Sequence, residues 1–289
     1  MRIMMTDWTM KRATGDAIEI QLAIREGRGK HILCLHGLTA NCRCWDVIAA
    51  DLTPAHSITA VDFRGRGLSD KPPTGYSWQH HVQDMFYVLE DIGLNRTVLM
   101  GHSLGAYVSM AFAAKYPDRV EKLILIDGGG ELTQAHWDRV DMVIKPSLDR
   151  LGQVFPSFEA YIENMKRAPI LQPWSQAIED YFRYESEDVD GGVRSRIHPD
   201  HIHEEIRNTR KMTPSEYYAD IPCPVLLVRA TDGIISEEDL VVPEYAANRM
   251  IKEIPNLQRV DIQGTNHYSI LFQPNASRDQ TIRKFLKEA

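Results

Sequence analysis

Short runs rich in Val, Ile and Leu alternate along this chain with segments of helical period, and that alternation is what most narrows the fold. The runs are Ile18 to Ile24, His31 to Leu35, Ser57 to Val61, Thr97 to Met100, Lys122 to Ile126, Val225 to Val228 and Gln258 to Ile262. Strands that are apolar on both faces and separated by helices belong to a mostly parallel sheet covered on each side, so the expected class is α/β. Between the strands, Trp78 to Ile92 reads as an amphipathic helix with Val82, Met85, Phe86 and Leu89 on one face and Gly93 as its stop. Leu104 to Lys115 reads as a second helix, whose small residues Gly105, Ala106, Ala111, Ala113 and Ala114 permit close packing on a sheet.

The rhythm breaks between Gly128 and Pro214, where helical patterns follow one another and no strand pattern is evident. The expected organisation is therefore a core over residues 1–127, a helical cap over 128–214, and the rest of the core over 215–289. The cap's aromatics, among them Trp137, Phe155, Phe158, Tyr161, Trp174, Tyr181, Phe182 and Tyr184, are expected mainly to form its own core, with a few lining an apolar pocket.

Gly101-His102-Ser103-Leu104-Gly105 stands between the run Val98-Leu99-Met100 and the small-residue helix. That is the strand, turn, helix setting of a nucleophile elbow, which exposes a serine hydroxyl at the carboxyl end of a sheet. A hydroxyl needs a base to become a nucleophile. His267, in Gly264-Thr265-Asn266-His267, follows the last strand pattern and is the candidate base. Two carboxylates could orient it: Asp232, which follows the Val225 strand and precedes His267 by 35 positions, and Asp127, in the same local context at the end of the Lys122 strand. Asp232 is favoured and Asp127 is kept as a substitute. The backbone N–H groups of Leu38, after His36-Gly37, and of Leu104 are assigned to an oxyanion hole.

Together with Leu35-His36-Gly37 and Asp62-Phe63-Arg64-Gly65-Arg66-Gly67-Leu68-Ser69-Asp70, these segments give a pattern that resembles the α/β-hydrolase superfamily, in its serine esterase and C–C hydrolase branch with a helical cap. The resemblance implies an α/β-hydrolase fold, the order Ser103, Asp232, His267 for the triad, and a structural role for Asp62 and Ser69. It favours hydrolysis of carboxylic esters through an acyl-Ser103 intermediate. Lactone opening or C–C cleavage by the same residues, and a ligand sensor that retains the triad, are the alternatives. An epoxide or haloalkane hydrolase, which needs a nucleophilic Asp, is disfavoured by Ser at the elbow.

A net charge of −7 gives no broad positive field, so nucleic acid is not an expected partner. No apolar run approaches the length of a membrane span, Asp7 interrupts the apolar start, and the sparse cysteines Cys34, Cys42, Cys44 and Cys223 suggest reduced thiols. A cytoplasmic enzyme acting on a small-molecule ester is expected, with no cofactor, no metal and no membrane association; a homo-oligomer is compatible with the sequence. His198-Pro199-Asp200-His201-Ile202-His203 is read as a polar helix start rather than a metal cluster, His80-His81 as a solvated first turn, and Arg194 and Arg196 as exposed surface.

Overall fold

The structure is a computed structural model that describes residues 8–233, 236 and 239–288; the segment Met1–Asp7, read above for targeting signals, lies outside them. The strands are β1 (Thr9–Thr14), β2 (Glu19–Arg25), β3 (His31–Leu35), β4 (Ser57–Val61), β5 (Thr97–His102), β6 (Val120–Ile126), β7 (Ser186–Val189), β8 (Gly192–Ser195), β9 (Val225–Ala230) and β10 (Leu257–Ile262). The α-helices are α1 (Asp46–Leu52), α2 (Trp78–Asp91), α3 (Leu104–Lys115), α4 (Gln134–Asp149), α5 (Phe158–Lys166), α6 (Gln176–Glu185), α7 (Pro199–Thr209), α8 (Glu244–Glu253), α9 (Ser269–Phe272) and α10 (Ala276–Lys287).

Eight strands form one sheet in the order β1-β2-β4-β3-β5-β6-β9-β10. β1 pairs antiparallel with β2 and β2 antiparallel with β4, and all other neighbours are parallel. The central strands are buried along their whole length, which is why they read as continuous apolar runs. Helix α3 is buried from Leu104 to Ala113, and its glycine and alanines let it lie against the sheet. Helix α2 ends in a Schellman arrangement: Gly93, at φ 73°, donates its N–H to Glu90 O at 3.1 Å, and Leu94 donates to Leu89 O at 2.9 Å.

Between β6 and β9 the chain builds α4 to α7 and, against the expectation of helices alone, the hairpin β7–β8. Its turn is Asp190-Gly191, with Gly191 at φ 85°. Asp-Gly is a strong hairpin-turn signal, and here the positive φ angles fall on Gly191 and Gly192, so the signal was present, although the strands themselves are short and polar. This insert has an apolar interior in which Phe155, Phe158, Tyr161, Trp174 and Phe182 pack together with Tyr184. Among the described residues, no helix is long and apolar enough to cross a membrane.

The turn after β4 is held by Asp62. Its carboxylate accepts from Cys42 N at 2.8 Å, Leu68 N at 2.9 Å and the Tyr184 hydroxyl at 2.6 Å, so it ties the turn to the insert. Ser69 Oγ donates to Asp62 O at 2.6 Å and accepts from Gln21 N at 2.8 Å. Both side chains are spent on the turn.

Candidate active site

Ser103 sits between β5 and α3 at φ 54° and ψ −119°, a region that a residue with a Cβ occupies only when its surroundings force it to. The surroundings are two glycines. A Cβ on Gly101 would lie 2.2 Å from Gly105 O, and one on Gly105 would lie 2.0 Å from Leu35 O. Any side chain at either position drives the helix off the strands. The elbow's residue pattern is therefore a packing requirement that leaves the serine at the head of α3, beside the helix's unbonded N–H groups.

Strand pairing decides which carboxylate stands next to it. β5 and β6 are parallel neighbours with His102 opposite Ile126, and Ser103 N donates to Ile126 O at 3.2 Å. The residue that follows Ile126 is Asp127, which emerges level with the serine. Its backbone also takes a left-handed conformation, φ 43°. Gly128 next to it leaves room for the serine turn, since a Cβ there would stand 2.7 Å from Ser103 O.

His267 reaches the same place from the loop after β10. Its Nδ1 lies 2.7 Å from Asp127 Oδ2, and both side chains are buried. An ionised carboxylate can only accept, so Nδ1 carries the proton and Nε2 is left as the acceptor, the tautomer that a base needs. Asp127 Oδ1 accepts from Ala230 N at 3.1 Å, which fixes the carboxylate from the other side.

The expectation that Asp232 orients His267 is corrected by this geometry. Asp232 is exposed, and its Oδ1 accepts from Thr231 Oγ1 at 3.0 Å. It stands two residues beyond the end of β9, one strand farther from the nucleophile than Asp127. Its backbone N–H braces the histidine loop by donating to Thr265 O at 2.9 Å. What separates the two is the order of strands in the sheet: Asp127 is the first residue after β6, which lies beside β5, whereas Asp232 follows β9, on the far side of β6.

Ser103 and His267 line one cavity together with Gly37, Leu38, Leu104 and residues of the insert, including Leu132, Trp137, Val140, Ile144, Leu148 and Tyr181. The wall is largely apolar. Of the insert's aromatics, Trp137 and Tyr181 reach it, while the others pack inside the insert. Among the described residues that line it, Asp141 on α4 and Arg210 just after α7 carry charge and form an ion pair with each other. Gly37 is pressed against the nucleophile, because a Cβ there would be 3.2 Å from Ser103 Cβ.

Two further histidines frame the site. His102 Nε2 donates to His267 O at 3.0 Å, and burial together with neighbouring His267 holds its ring well below the ordinary histidine value. His36 is pushed down to about 3 by burial, so it is neutral; its Nδ1 donates to Gly37 O at 2.7 Å and its Nε2 accepts from Phe63 N at 3.0 Å. Neither ring is a mobile proton carrier.

Residues 30–274 match the family model for the alpha/beta hydrolase fold. The chain belongs to the α/β-hydrolase family. The hydrolase is 31% identical over 255 residues to a 2-(acetamidomethylene)succinate hydrolase of Mesorhizobium japonicum, an alignment that covers 88% of this chain and 87% of that one. It superposes with TM-score 0.84 on the crystal structure of an E-2-(acetamidomethylene)succinate hydrolase, at 27% identity, covering 97% of this chain and 100% of the other. The enol-lactonase of Burkholderia xenovorans shares the fold, with TM-score 0.72, 18% identity, and 96% and 100% coverage.

Other candidates have local duties. His198 caps α7, accepting from Asp200 N at 3.3 Å. Arg194 and Arg196 pair with Glu187 across the hairpin. The reading of His80-His81 as solvated holds for His80 only, since His81 is fully buried and its Nε2 lies 2.6 Å from Glu205 Oε2. Position 81 falls on the face of α2 that Trp78, Val82 and Met85 bury, one turn after Trp78.

Proposed function

We propose that the hydrolase cleaves small acyl compounds, carboxylic esters among them, through an acyl-enzyme on Ser103. His267 Nε2 takes the serine proton as Oγ attacks the acyl carbon and returns it to the leaving group; water then repeats the sequence and releases the acid. Asp127 orients the ring and stabilises its cation. The N–H groups of Leu38 and Leu104 meet the negative charge that develops on the acyl oxygen. The observation that carries this reading is the 2.7 Å contact of His267 Nδ1 with Asp127, made by a ring that lines the same cavity as Ser103 at its positive φ.

Ser103→Ala is expected to lower kcat on p-nitrophenyl acetate by about 10⁴ or more, and a fluorophosphonate probe is expected to label wild type at Ser103 alone. Multiple turnovers per molecule separate an enzyme from a sensor, which would give one burst. Undiminished turnover by the variant would end the proposal.

A second reading has the substrate carry a carboxylate and an acylated nitrogen. The relative's name supports it, and so does Arg210, a cation paired with Asp141 in the wall of a largely apolar cavity. A substrate carboxylate would exchange with Asp141 on the guanidinium. Arg210→Ala is then expected to raise KM about tenfold for an N-acyl enamine dicarboxylate, a loss of roughly 1.4 kcal/mol, and to leave KM for neutral p-nitrophenyl acetate nearly unchanged. Equal effects on both substrates would remove this reading.

A further inference from the structure

Away from the reacting groups, ionisable side chains from three elements meet at the seam between the sheet and the insert: Arg66 from the turn after β4, His81 on α2 and Glu205 on α7. The side chains of all three are wholly excluded from solvent. Glu205 Oε2 accepts from Arg66 Nη2 at 3.1 Å and from His81 Nε2 at 2.6 Å. Burial alone would raise the Glu205 carboxyl, but His81 and Arg66 outweigh it and hold it down to about 2, so it is ionised at neutral pH.

The rest of the guanidinium is spent on backbone. Arg66 Nη1 donates to Arg64 O at 2.9 Å, and Arg66 Nε donates to Leu38 O at 3.0 Å. Leu38 is thereby held from both sides. The peptide that contains its N–H is fixed through Gly37 O, which accepts from His36 Nδ1 at 2.7 Å and from Ala40 N at 3.2 Å. The peptide that contains its carbonyl is fixed by Arg66, which is itself held by a residue of the insert.

We propose that Glu205, acting through Arg66, is a positioning residue that sets the aim of the Leu38 N–H, so that the oxyanion donor is in place only when α7 is seated on the sheet. This rests on the acyl-Ser103 reading, in which that N–H meets the developing charge. The arrangement links substrate enclosure to catalysis: the helix next to Arg210 and the cavity wall also steadies the donor on the floor. A donor displaced by a fraction of an ångström weakens its bond to a transition-state oxyanion far more than it alters ground-state binding.

The test compares wild type with Glu205→Gln and Arg66→Lys in the full chain. Three readouts are taken: kcat and KM on a p-nitrophenyl ester, inhibition by a trifluoromethyl ketone whose hemiketal oxygen must occupy the oxyanion hole, and inhibition by the product carboxylate. Both variants are expected to lose about 10- to 100-fold in kcat, to bind the ketone more weakly by the same factor, and to keep KM and product inhibition within about twofold. Where the Gln variant does not fold, Glu205→Asp retains the charge with a shorter reach and is expected to show a smaller loss in the same two readouts. Unchanged ketone affinity in folded variants, or a rise in KM with kcat intact, would overturn the positioning role. A wild type that neither turns over nor binds the ketone would instead refute the Ser103 reading, and the inference with it.

Discussion

Ser103 and Asp127 share an uncommon property for residues with side chains: each has a positive φ, 54° and 43°, and each directly follows a strand, β5 or β6. Such conformations cost of order 1–3 kcal/mol each and persist where close packing over-determines them. Here the packing is done by glycines. Gly105→Ala places a methyl 2.0 Å from Leu35 O, a backbone atom that cannot turn aside. The variant is expected to lose about 3 kcal/mol or more of stability in urea unfolding, and a loss under about 1 kcal/mol would show that the close approach is not required. Ser103 and His267 were legible as candidates because their local contexts, strand-turn-helix and post-terminal-strand loop, are specific. The choice between Asp127 and Asp232 was not, because both follow strands and are followed by glycine; only the order of strands in the sheet, which brings β6 beside β5, separates them.

At the scale of elements, the parallel strands were readable from apolar runs and α2 and α3 from period and punctuation. Strand β1 was not, because Thr9–Thr14 is an edge strand with a mostly exposed, polar sequence, and its pairing with β2 is supplied by tertiary structure. The hairpin β7–β8 escaped for a similar reason, although Asp190-Gly191 marked its turn. His81 illustrates a different limit. It reads from sequence as solvated although it lies one turn after Trp78 on the buried face of its helix, and its partner Glu205 lies 124 positions away, a pairing that no local pattern reports. The seam between sheet and insert is therefore what sequence reading reaches least.

For the whole molecule, folding brings histidines into places that disfavour their charged form. His36 is pushed to about 3 and His102 well below its ordinary value, both chiefly by burial, and His31 and His201 are lowered for the same reason. The unfolded chain takes up these protons near pH 6.5 and the folded chain only at lower pH, so stability falls as pH drops from about 6.5 toward 3. His36 alone accounts for about 2 kcal/mol at pH 5. The free energy of unfolding in urea is expected to be lower at pH 5 than at pH 7, and a flat or rising trend would contradict the burial of neutral histidines.

The same convergence of distant segments carries the proposed chemistry: β5, β6 and the loop after β10 deliver a hydroxyl, a carboxylate and an imidazole to one rim of the sheet. Steady-state kinetics of Asp127→Asn beside Asp232→Asn on one ester is the most direct measurement of that claim. The Asp127 variant is expected to lose about 10³- to 10⁴-fold in kcat, through the wrong histidine tautomer and an unsupported cation, while the Asp232 variant stays within about threefold of wild type. An active Asp127→Asn enzyme beside an inactive Asp232→Asn enzyme would contradict it.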